Sequence, residues 1–164
     1  MKIETERLVL ESITPDLASR IVSGERALSD RWHADYPLED ELDPLRSLVA
    51  GPAPDPVFTM YLIRRKLDEL AVGGFGFFGR PDTTGRVEFG YGLVPAARGA
   101  GLATEAVRAA LKVATAHGAR VASADTMVSN GASRRVLEKA GLIETHRQKQ
   151  FVFFSCALLD ARKL

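Results

Sequence analysis

Apolar and aromatic residues dominate three consecutive stretches in the middle of the chain. The stretches "VFTMYLIRR", "ELAVGGFGFFG" and "VEFGYGLV" are joined by the polar segments "KLDE" and "RPDTTGR". Runs of this composition that are bounded by short polar turns are typical of antiparallel hairpins. The pattern therefore predicts a three-stranded antiparallel meander between residues 57 and 94.

A helical pattern follows the third of these strands. In "ATEAVRAALKVATAHG" the apolar positions 103, 106, 107, 110, 111 and 114 recur with the i, i+3, i+4, i+7 spacing of a helix with one buried face. "ARVASADTMV" then indicates a strand, "NGASRRVLEKAG" a short helix and "QFVFFSCALL" a buried strand. This order predicts a mixed α/β domain in which a crossover joins the strands at 87–94 and 120–128 in parallel.

The N-terminal third is less regular. "ERLVLE" indicates a short strand, and Thr14 and Pro15 are typical of the N-cap and first position of a helix that ends near Gly24. Residues 29–56 are rich in proline and aspartate, and we expect irregular structure there around a helix near 38–50.

Length and charge narrow the function classes. The 164 residues favour a single domain over 1–164, and 22 basic against 21 acidic residues give a net charge of +1. This near-neutral balance argues against a nucleic-acid partner. No stretch approaches the ~20 apolar residues of a membrane helix, and the N-terminus does not resemble a signal peptide. We therefore expect a cytoplasmic protein without a membrane partner. The lone Cys156 is expected in the core, and no metal site is expected.

The segment "PAARGAGLAT" places two glycines and an arginine before the long helix. Backbone N–H groups at a helix N-terminus favour anions, and Gly99 and Gly101 leave a phosphate room to reach them. Arg98 can add a charge-assisted contact. The alternative is a helix entry in which the glycines only satisfy turn geometry.

Two other phosphate-binding motifs share features with this loop. A nucleotide P-loop is excluded because no Lys-Ser/Thr pair follows the glycines. A dinucleotide-binding oxidoreductase stays an alternative, since "GAGLAT" partly matches its fingerprint and Asp125 stands near the place of a ribose-binding acid. The antiparallel meander before the loop argues against that alternative.

Two motifs resemble signatures of the GNAT acetyltransferases. "RGAGLA" fits R/Q-x-x-G-x-G/A through Arg98, Gly101 and Ala103. "NGASRRVLEKAGL" fits the second signature, N-x-x-S/A-x-x-V/L-x-E-K-x-G-F/L. With "ERLVL" near the start, the chain looks most like the branch that contains the ribosomal-protein alanine N-acetyltransferases.

The resemblance implies a fold, a donor and a reaction. The fold would be a mostly antiparallel central sheet with helices on both faces and a parallel strand pair that splays apart. Acetyl-CoA would be the co-substrate, with its pyrophosphate on the loop and its pantetheine arm paired beside Leu93, and the acetyl group would pass directly to a primary amine. The residues expected to bind the donor are Leu93, Arg98, Gly99, Ala100, Gly101, Leu102, Ala103, Thr104, Asn130 and Ser133.

Glu88 is the candidate base for this reaction. By strand alternation it shares a face with Gly90 and Gly92, and two positions without side chains suggest room for a ligand. The alternative is an ordinary edge or surface acid that pairs with Arg86. Many relatives carry a tyrosine as general acid where this chain has Leu137, so Ser133, Thr126 or solvent would have to serve.

Three classes of function remain open from the sequence. They are an acetyl-CoA-dependent N-acetyltransferase, an NAD(P)-binding oxidoreductase, and a non-catalytic CoA-binding module. The acceptor would be a small-molecule amine or a protein or peptide amine, and the protein would be a monomer or homodimer. Trp32 and His33 lie where the family shapes its acceptor pocket, although packing is the favoured role for Trp32.

Overall fold

A mixed β-sheet forms the centre of the molecule in the computed structural model, which describes residues 1–159. Within these residues the sheet has eight strands in the order β1-β2-β3-β4-β5-β6-β8-β7. All neighbours are antiparallel except β5 and β6, which are parallel. The strands are β1 Lys2–Glu4, β2 Leu8–Ser12, β3 Met60–Arg65, β4 Ala71–Phe77, β5 Arg86–Leu93, β6 Val121–Met127, β7 Ile143–Gln148 and β8 Phe151–Ala157.

Helices lie on both faces of this sheet. The four α-helices within residues 1–159 are α1 Pro15–Ser23, α2 Leu42–Ala50, α3 Leu102–Ala116 and α4 Gly131–Lys139. Short 3₁₀ turns cover Leu28–Asp30, Glu39–Glu41 and Pro95–Ala97. Residues just before α2 pack on the face of β5 that carries Gly92, while the start of α4 contacts Tyr91 on the opposite face.

The predicted meander is confirmed. Strands β3, β4 and β5 are consecutive in the chain and adjacent in the sheet. Within β5, Val87 and Phe89 are buried on one face and Glu88 is exposed on the other. The pairing of β5 shows no register shift against β4 or β6, so the expected alternation holds along the strand.

The parallel strands β5 and β6 stay together over three residue pairs only. Arg86 to Glu88 pair with Val121 to Ser123, and from Phe89 to Leu93 strand β5 pairs only with β4 among the described residues. The predicted splay is therefore confirmed, and it leaves one edge of β5 with unpaired backbone groups. The mixed α/β fold with helices on both faces is also confirmed.

Helix boundaries follow the capping signals. The Thr14 hydroxyl accepts a hydrogen bond from the Leu17 amide at 3.2 Å, and Gly24 ends α1 with φ +74°. Helix α3 buries the predicted apolar face, including Ala106, Val107 and Ala110. Its amphipathic pattern explains why α3 packs against β1, β2 and β5.

Two strands and one burial prediction differ from the sequence analysis. Strands β1 and β7 are not predicted from the sequence, because β1 has three residues and β7 is exposed along its whole length, so neither shows a buried pattern. Cys156 is only half-buried, and this burial raises the pKa of its thiol. Among residues 1–159 no helix has the length and apolarity to cross a membrane.

Candidate active site

The glycine loop sits at the surface between β5 and α3. Gly99 and Gly101 have φ values of +85° and +79°, a region that favours glycine. Gly101 is the N-cap of α3, and residues 98–101 are all exposed. The first amides of α3 therefore lie next to an exposed loop whose glycines carry no side chains, with the Arg7 guanidinium beside Gly101, and this arrangement favours an anion.

Two arginines fix the backbone of this loop. Arg98 donates from Nε to the Leu93 carbonyl at 2.9 Å, so one of its N–H groups is already used inside the loop. Arg7 donates to the Ala100 carbonyl at 2.8 Å and pairs with Glu105 at 2.7 Å. Burial raises the pKa of Glu105, but hydrogen bonds from Thr5 and Arg7 outweigh burial and hold that pKa below its ordinary value. The role of Arg7 is not predicted from the sequence.

A cleft of about 1070 Å³ opens beside the splayed strands. Its walls come from the region around α2, from the ends of β4 and β5, from Ala124 to Thr126 of β6, and from Asn130 and Ser133 at the start of α4. Residues 98–104 do not line it. The donor-binding residues predicted from the sequence thus fall into three groups. Residues 98–104 form the loop and the first turn of α3, in which Leu102 and Thr104 are buried, Asn130 and Ser133 lie in the cleft wall, and Leu93 is buried at the end of β5.

Four glycines form a patch on the sheet inside this cleft. Gly74 pairs with Gly92 across β4 and β5, and Gly76 pairs with Gly90. A Cβ at Gly92 would lie 2.6 Å from Leu38 Cδ1, and one at Gly90 would lie 2.9 Å from Phe78 Cζ. The sequence predicts space for a ligand over Gly90 and Gly92. In the structure, the missing side chains also let the protein's own Leu38 and Phe78 approach the backbone closely.

Glu88 lies at the outer end of this face. Its side chain is exposed, and it is not among the residues that line the cleft. Its carbonyl accepts a hydrogen bond from the Phe78 amide at 2.9 Å, which ties the backbone at Glu88 to the end of β4. Its role as base stays a prediction.

Glu41 is a second carboxylate, and it lines the cleft. Only 9% of the residue is exposed, and within residues 1–159 its Oε1 has no hydrogen-bond partner. Burial raises the pKa of Glu41 to about 8, the neighbouring Asp40 adds to that effect, and the Tyr36 hydroxyl opposes it. Tyr36 is close enough to act on this pKa, although its hydroxyl does not reach hydrogen-bonding geometry.

Glu41 is not predicted from the sequence because it lies in the irregular segment before α2, where no periodicity assigns a face. A usable signal was present in the glycines. The alternate spacing of Gly74, Gly76, Gly90 and Gly92 on two strands of a hairpin indicates a bare patch that another segment must cover.

A pair of hydroxyls spans the other side of the cleft. The Tyr91 hydroxyl donates to the Ser133 carbonyl at 3.1 Å and shares a 2.9 Å hydrogen bond with the Ser133 hydroxyl. Burial raises the pKa of Tyr91 to about 12, and the Ser133 bond opposes this rise. The Asn130 side chain caps α4 by accepting from the Ser133 amide at 3.0 Å. Leu137 is fully buried and belongs to the core.

Trp32 and His33 do not line the cleft. Trp32 is 7% exposed, and the guanidinium groups of Arg20 and Arg26 lie over its ring at 5.8 and 5.7 Å. The His33 ring accepts a hydrogen bond from the Asp35 amide at 3.1 Å. In this structure Trp32 packs the segment between α1 and α2.

Comparisons with known proteins agree with this architecture. The family model described as "Acetyltransferase (GNAT) domain" matches residues 7–143, so the chain belongs to the GNAT acetyltransferase family. It is therefore an N-acetyltransferase, and GNAT acetyltransferases use acetyl-CoA as the donor. A search of curated proteins finds no match.

Three solved structures are similar to the whole fold. A GNAT-family acetyltransferase from Bacillus anthracis is 17% identical, with a TM-score of 0.68 over 96% of this chain and 98% of that chain. The ribosomal-protein-S5-alanine acetyltransferase from Vibrio fischeri is 16% identical, with a TM-score of 0.69 over 98% of each chain. RimL, a ribosomal L7/L12 α-N-protein acetyltransferase in complex with coenzyme A, is 15% identical, with a TM-score of 0.70 over 96% of this chain and 98% of that chain.

Proposed function

We propose that this acetyltransferase moves the acetyl group directly from acetyl-CoA to the primary amine of a positively charged acceptor. The observation that carries the proposal is the charge of the cleft beside the splayed strands. Five acidic residues and one basic residue line it. These residues are Asp40, Glu41, Asp43, Asp55, Asp125 and Arg80. Arg80 pairs with Asp55 and Arg46 pairs with Asp43, so three of the five acidic residues have no ion pair among the described residues. An ammonium group enters such a cleft more readily than an anion does.

One part of the donor would bind outside that cleft, at the glycine loop, and another part would lie along the edge of the cleft, at β5. The glycine loop and the first amides of α3 suit its pyrophosphate, because Gly99 and Gly101 present no Cβ. The edge of β5 from Phe89 to Leu93 has no β6 partner and suits an extended arm that pairs like a strand, although the Leu93 carbonyl already accepts from Arg98. Asn130 and Ser133 would contact the donor from the start of α4. The chemistry that acetyl-CoA supplies is an activated thioester carbonyl.

Amine acetylation also requires the removal of a proton from the acceptor, since an ammonium cannot attack a carbonyl. Glu88 is the candidate from the sequence, on the cleft face of β5 but exposed. The acceptor is a protein or peptide N-terminus or a small-molecule amine. The similarity to acetyltransferases whose names specify ribosomal proteins supports the first of these. The single-domain organisation over 1–164, the cytoplasmic location and the monomer-or-homodimer state stay predictions.

An acceptor screen that measures CoA release tests this proposal. The panel contains alanyl and seryl tripeptides, spermidine and n-butylamine, with acetylated tripeptides and n-butanol as controls without an amine. We expect CoA release with at least one free amine and none with the controls. Binding of acetyl-CoA without turnover of any amine would indicate a CoA-binding module instead. Thermal stabilisation by NAD(P) but not by acetyl-CoA would indicate the oxidoreductase alternative.

A further inference from the structure

We propose that Glu41 binds the amine of the acceptor and takes its proton. This proposal rests on the proposed function and names a residue that neither the family motifs nor the sequence pattern indicates. A Cβ placed on Gly74 would lie 2.5 Å from Glu41 Oε1, so the carboxylate lies directly against the glycine patch of the sheet.

The same position brings Glu41 close to the splayed edge of β5. Gly74 pairs with Gly92, and adjacent strands lie about 5 Å apart. Gly92 belongs to the part of β5 that has lost its pairing with β6. Glu41, Gly74 and Gly92 line one continuous cleft. An amine that contacts Glu41 is therefore about one strand spacing from the edge where the thioester would lie.

The carboxylate is also short of a hydrogen-bond donor. Glu41 is about nine-tenths buried, and within the described residues Oε1 has no partner. A buried polar atom without a partner is costly and needs an explanation. An ammonium group supplies up to three N–H donors. An acceptor amine can therefore provide the contact that the protein itself leaves out.

The groups around Glu41 determine the pH range in which its carboxyl group is ionised and can accept a proton. Asp40 on its own turn and the Tyr36 hydroxyl act on it directly, and Arg64 of β3 acts on Tyr36. On the sheet side it faces Gly74, which has no titratable group. Because its pKa is about 8, Glu41 gains its charge as pH rises through neutrality. A base with a pKa near the working pH suits proton transfer.

The reaction balances with this assignment. The acceptor ammonium gives one proton to Glu41, and the neutral nitrogen attacks the thioester carbonyl. A C–N bond forms and the C–S bond breaks, so CoA leaves as the thiolate. The second proton of the nitrogen goes to that thiolate, directly or through water, which yields the amide and CoA thiol. Glu41 then returns its proton to solvent.

Paired variants of the two carboxylates test the proposal. Glu41→Gln keeps the size of the side chain and removes its basicity, and Glu88→Gln does the same at the other candidate. The matched control is Glu39→Gln, in an exposed acid of the same short helix. We expect Glu41→Gln to lower kcat/KM for the best amine of the panel about 10²-fold or more, while Glu39→Gln changes it less than about twofold. Calorimetry should give the same acetyl-CoA affinity for all proteins.

The pH profile separates proton removal from simple binding. With an alkylamine of pKa about 10, wild-type kcat/KM should rise through an apparent pKa near 8. In Glu41→Gln that rise should move to the pKa of the amine itself. If kcat/KM still rises through an apparent pKa near 8 in Glu41→Gln but no longer does so in Glu88→Gln, the proposal is overturned in favour of Glu88.

A measurement without turnover keeps the proposal testable if the screen finds no acceptor. Carbon-13 labelling of glutamate side chains, with Glu41→Gln to assign the signal, follows the Glu41 carboxyl through its titration. We expect a midpoint near 8 that falls by at least half a unit in the presence of n-butylammonium chloride. Acetyl-CoA binding without any turnover would refute the proposed function. An unshifted Glu41 titration would refute the role of Glu41.

Discussion

The hydroxyls of Tyr91 and Ser133 occupy the side of the cleft opposite Glu41. The family resemblance implies a tyrosine as proton donor at the position of Leu137, but Leu137 in this chain is buried. Ser133 was one of the acids suggested by the sequence, and its hydroxyl is 2.9 Å from the Tyr91 hydroxyl. With the pKa of Tyr91 raised to about 12, the phenol keeps its proton near neutral pH. The pair is suited to orient a hydrogen bond toward a leaving thiolate.

A double-mutant cycle tests whether these hydroxyls act as one unit. Tyr91→Phe and Ser133→Ala should each lower kcat about tenfold, because each removes a member of the same hydrogen bond. The double variant should then be about as slow as the slower single variant. The acetyl-CoA dissociation constant measured in parallel separates lost binding from lost turnover. Losses that multiply, or single variants with wild-type kcat, would show that the hydroxyls do not cooperate.

At single positions the sequence predicted backbone-driven features better than distant contacts. Gly101 was expected at the mouth of a helix, and it is the N-cap of α3. The structural role of a glycine can be predicted from the sequence when a local backbone conformation requires it. The contacts of Glu41 with Gly74 and of Arg7 with the glycine loop join segments far apart in the chain. No local pattern encodes such contacts.

Among the elements, the loop before α3 combines three features that favour an anion. Its glycines adopt positive φ, its residues 98–101 are exposed, and the amides of the first turn have no earlier residue in the helix to bond. Arg7 holds the loop from outside by bonding Ala100 and Glu105. The protein's own contacts therefore hold the loop in this conformation.

A charge at Gly101 tests this element. Gly101→Asp places a negative charge at the N-cap, and Gly101→Asn is the matched neutral variant with the same shape and the same strain at φ +79°. We expect the aspartate variant to bind acetyl-CoA at least about tenfold more weakly than the asparagine variant, which corresponds to about 1.4 kcal/mol. Calorimetry at low and high salt measures both, and the difference should shrink at high salt. Equal affinities of the two variants would contradict a pyrophosphate at this loop.

The elements that the sequence predicted are those with a buried face. The meander β3–β5 and helix α3 each bury a regular set of apolar residues, so their periodicity is visible. Strand β7 exposes all of its residues, and its pairing with β8 is what makes it a strand. Burial fixes a pattern in the sequence, but pairing at an open sheet edge does not. The splay of β5 from β6 came from the family resemblance and not from periodicity.

In the molecule as a whole, some carboxyl groups have a lowered pKa and Glu41 has a raised pKa, and both kinds determine how the stability of the fold changes with pH. The hydrogen bond from Arg20 is the largest of the effects that hold the pKa of Asp30 below its ordinary value, and hydrogen bonds from Thr5 and Arg7 do the same for Glu105 against the cost of burial. These groups stabilise the fold above their ordinary pKa values, and that stability is lost as pH falls through the lowered values. The pKa of Glu41 is raised from 4.5 to about 8, so its contribution has the opposite sign.

Glu41 should therefore make the folded protein less stable as pH rises. The folded state holds a proton on Glu41 that the unfolded state has already released between pH 4.5 and about 8. Stability linked to that proton is complete below 4.5 and disappears on the way to 8, so we expect a maximum melting temperature near pH 5. Glu41→Gln removes the decline on the alkaline side, and at pH 8 it should melt at least about 2 °C above wild type. The decrease in melting temperature at acid pH should be the same in Glu41→Gln as in wild type, because Asp30 and Glu105 remain.

Melting curves of wild type, Glu41→Gln and Glu39→Gln between pH 3 and 9 measure this difference. Glu39→Gln should follow wild type, since Glu39 is exposed on the same turn. A residue kept for packing would behave differently, because its loss would lower the melting temperature at every pH. A variant that gains stability at pH 8 and loses turnover there would show that the buried carboxylate is retained at the expense of the fold. Parallel curves for wild type and Glu41→Gln would contradict a raised pKa at this position.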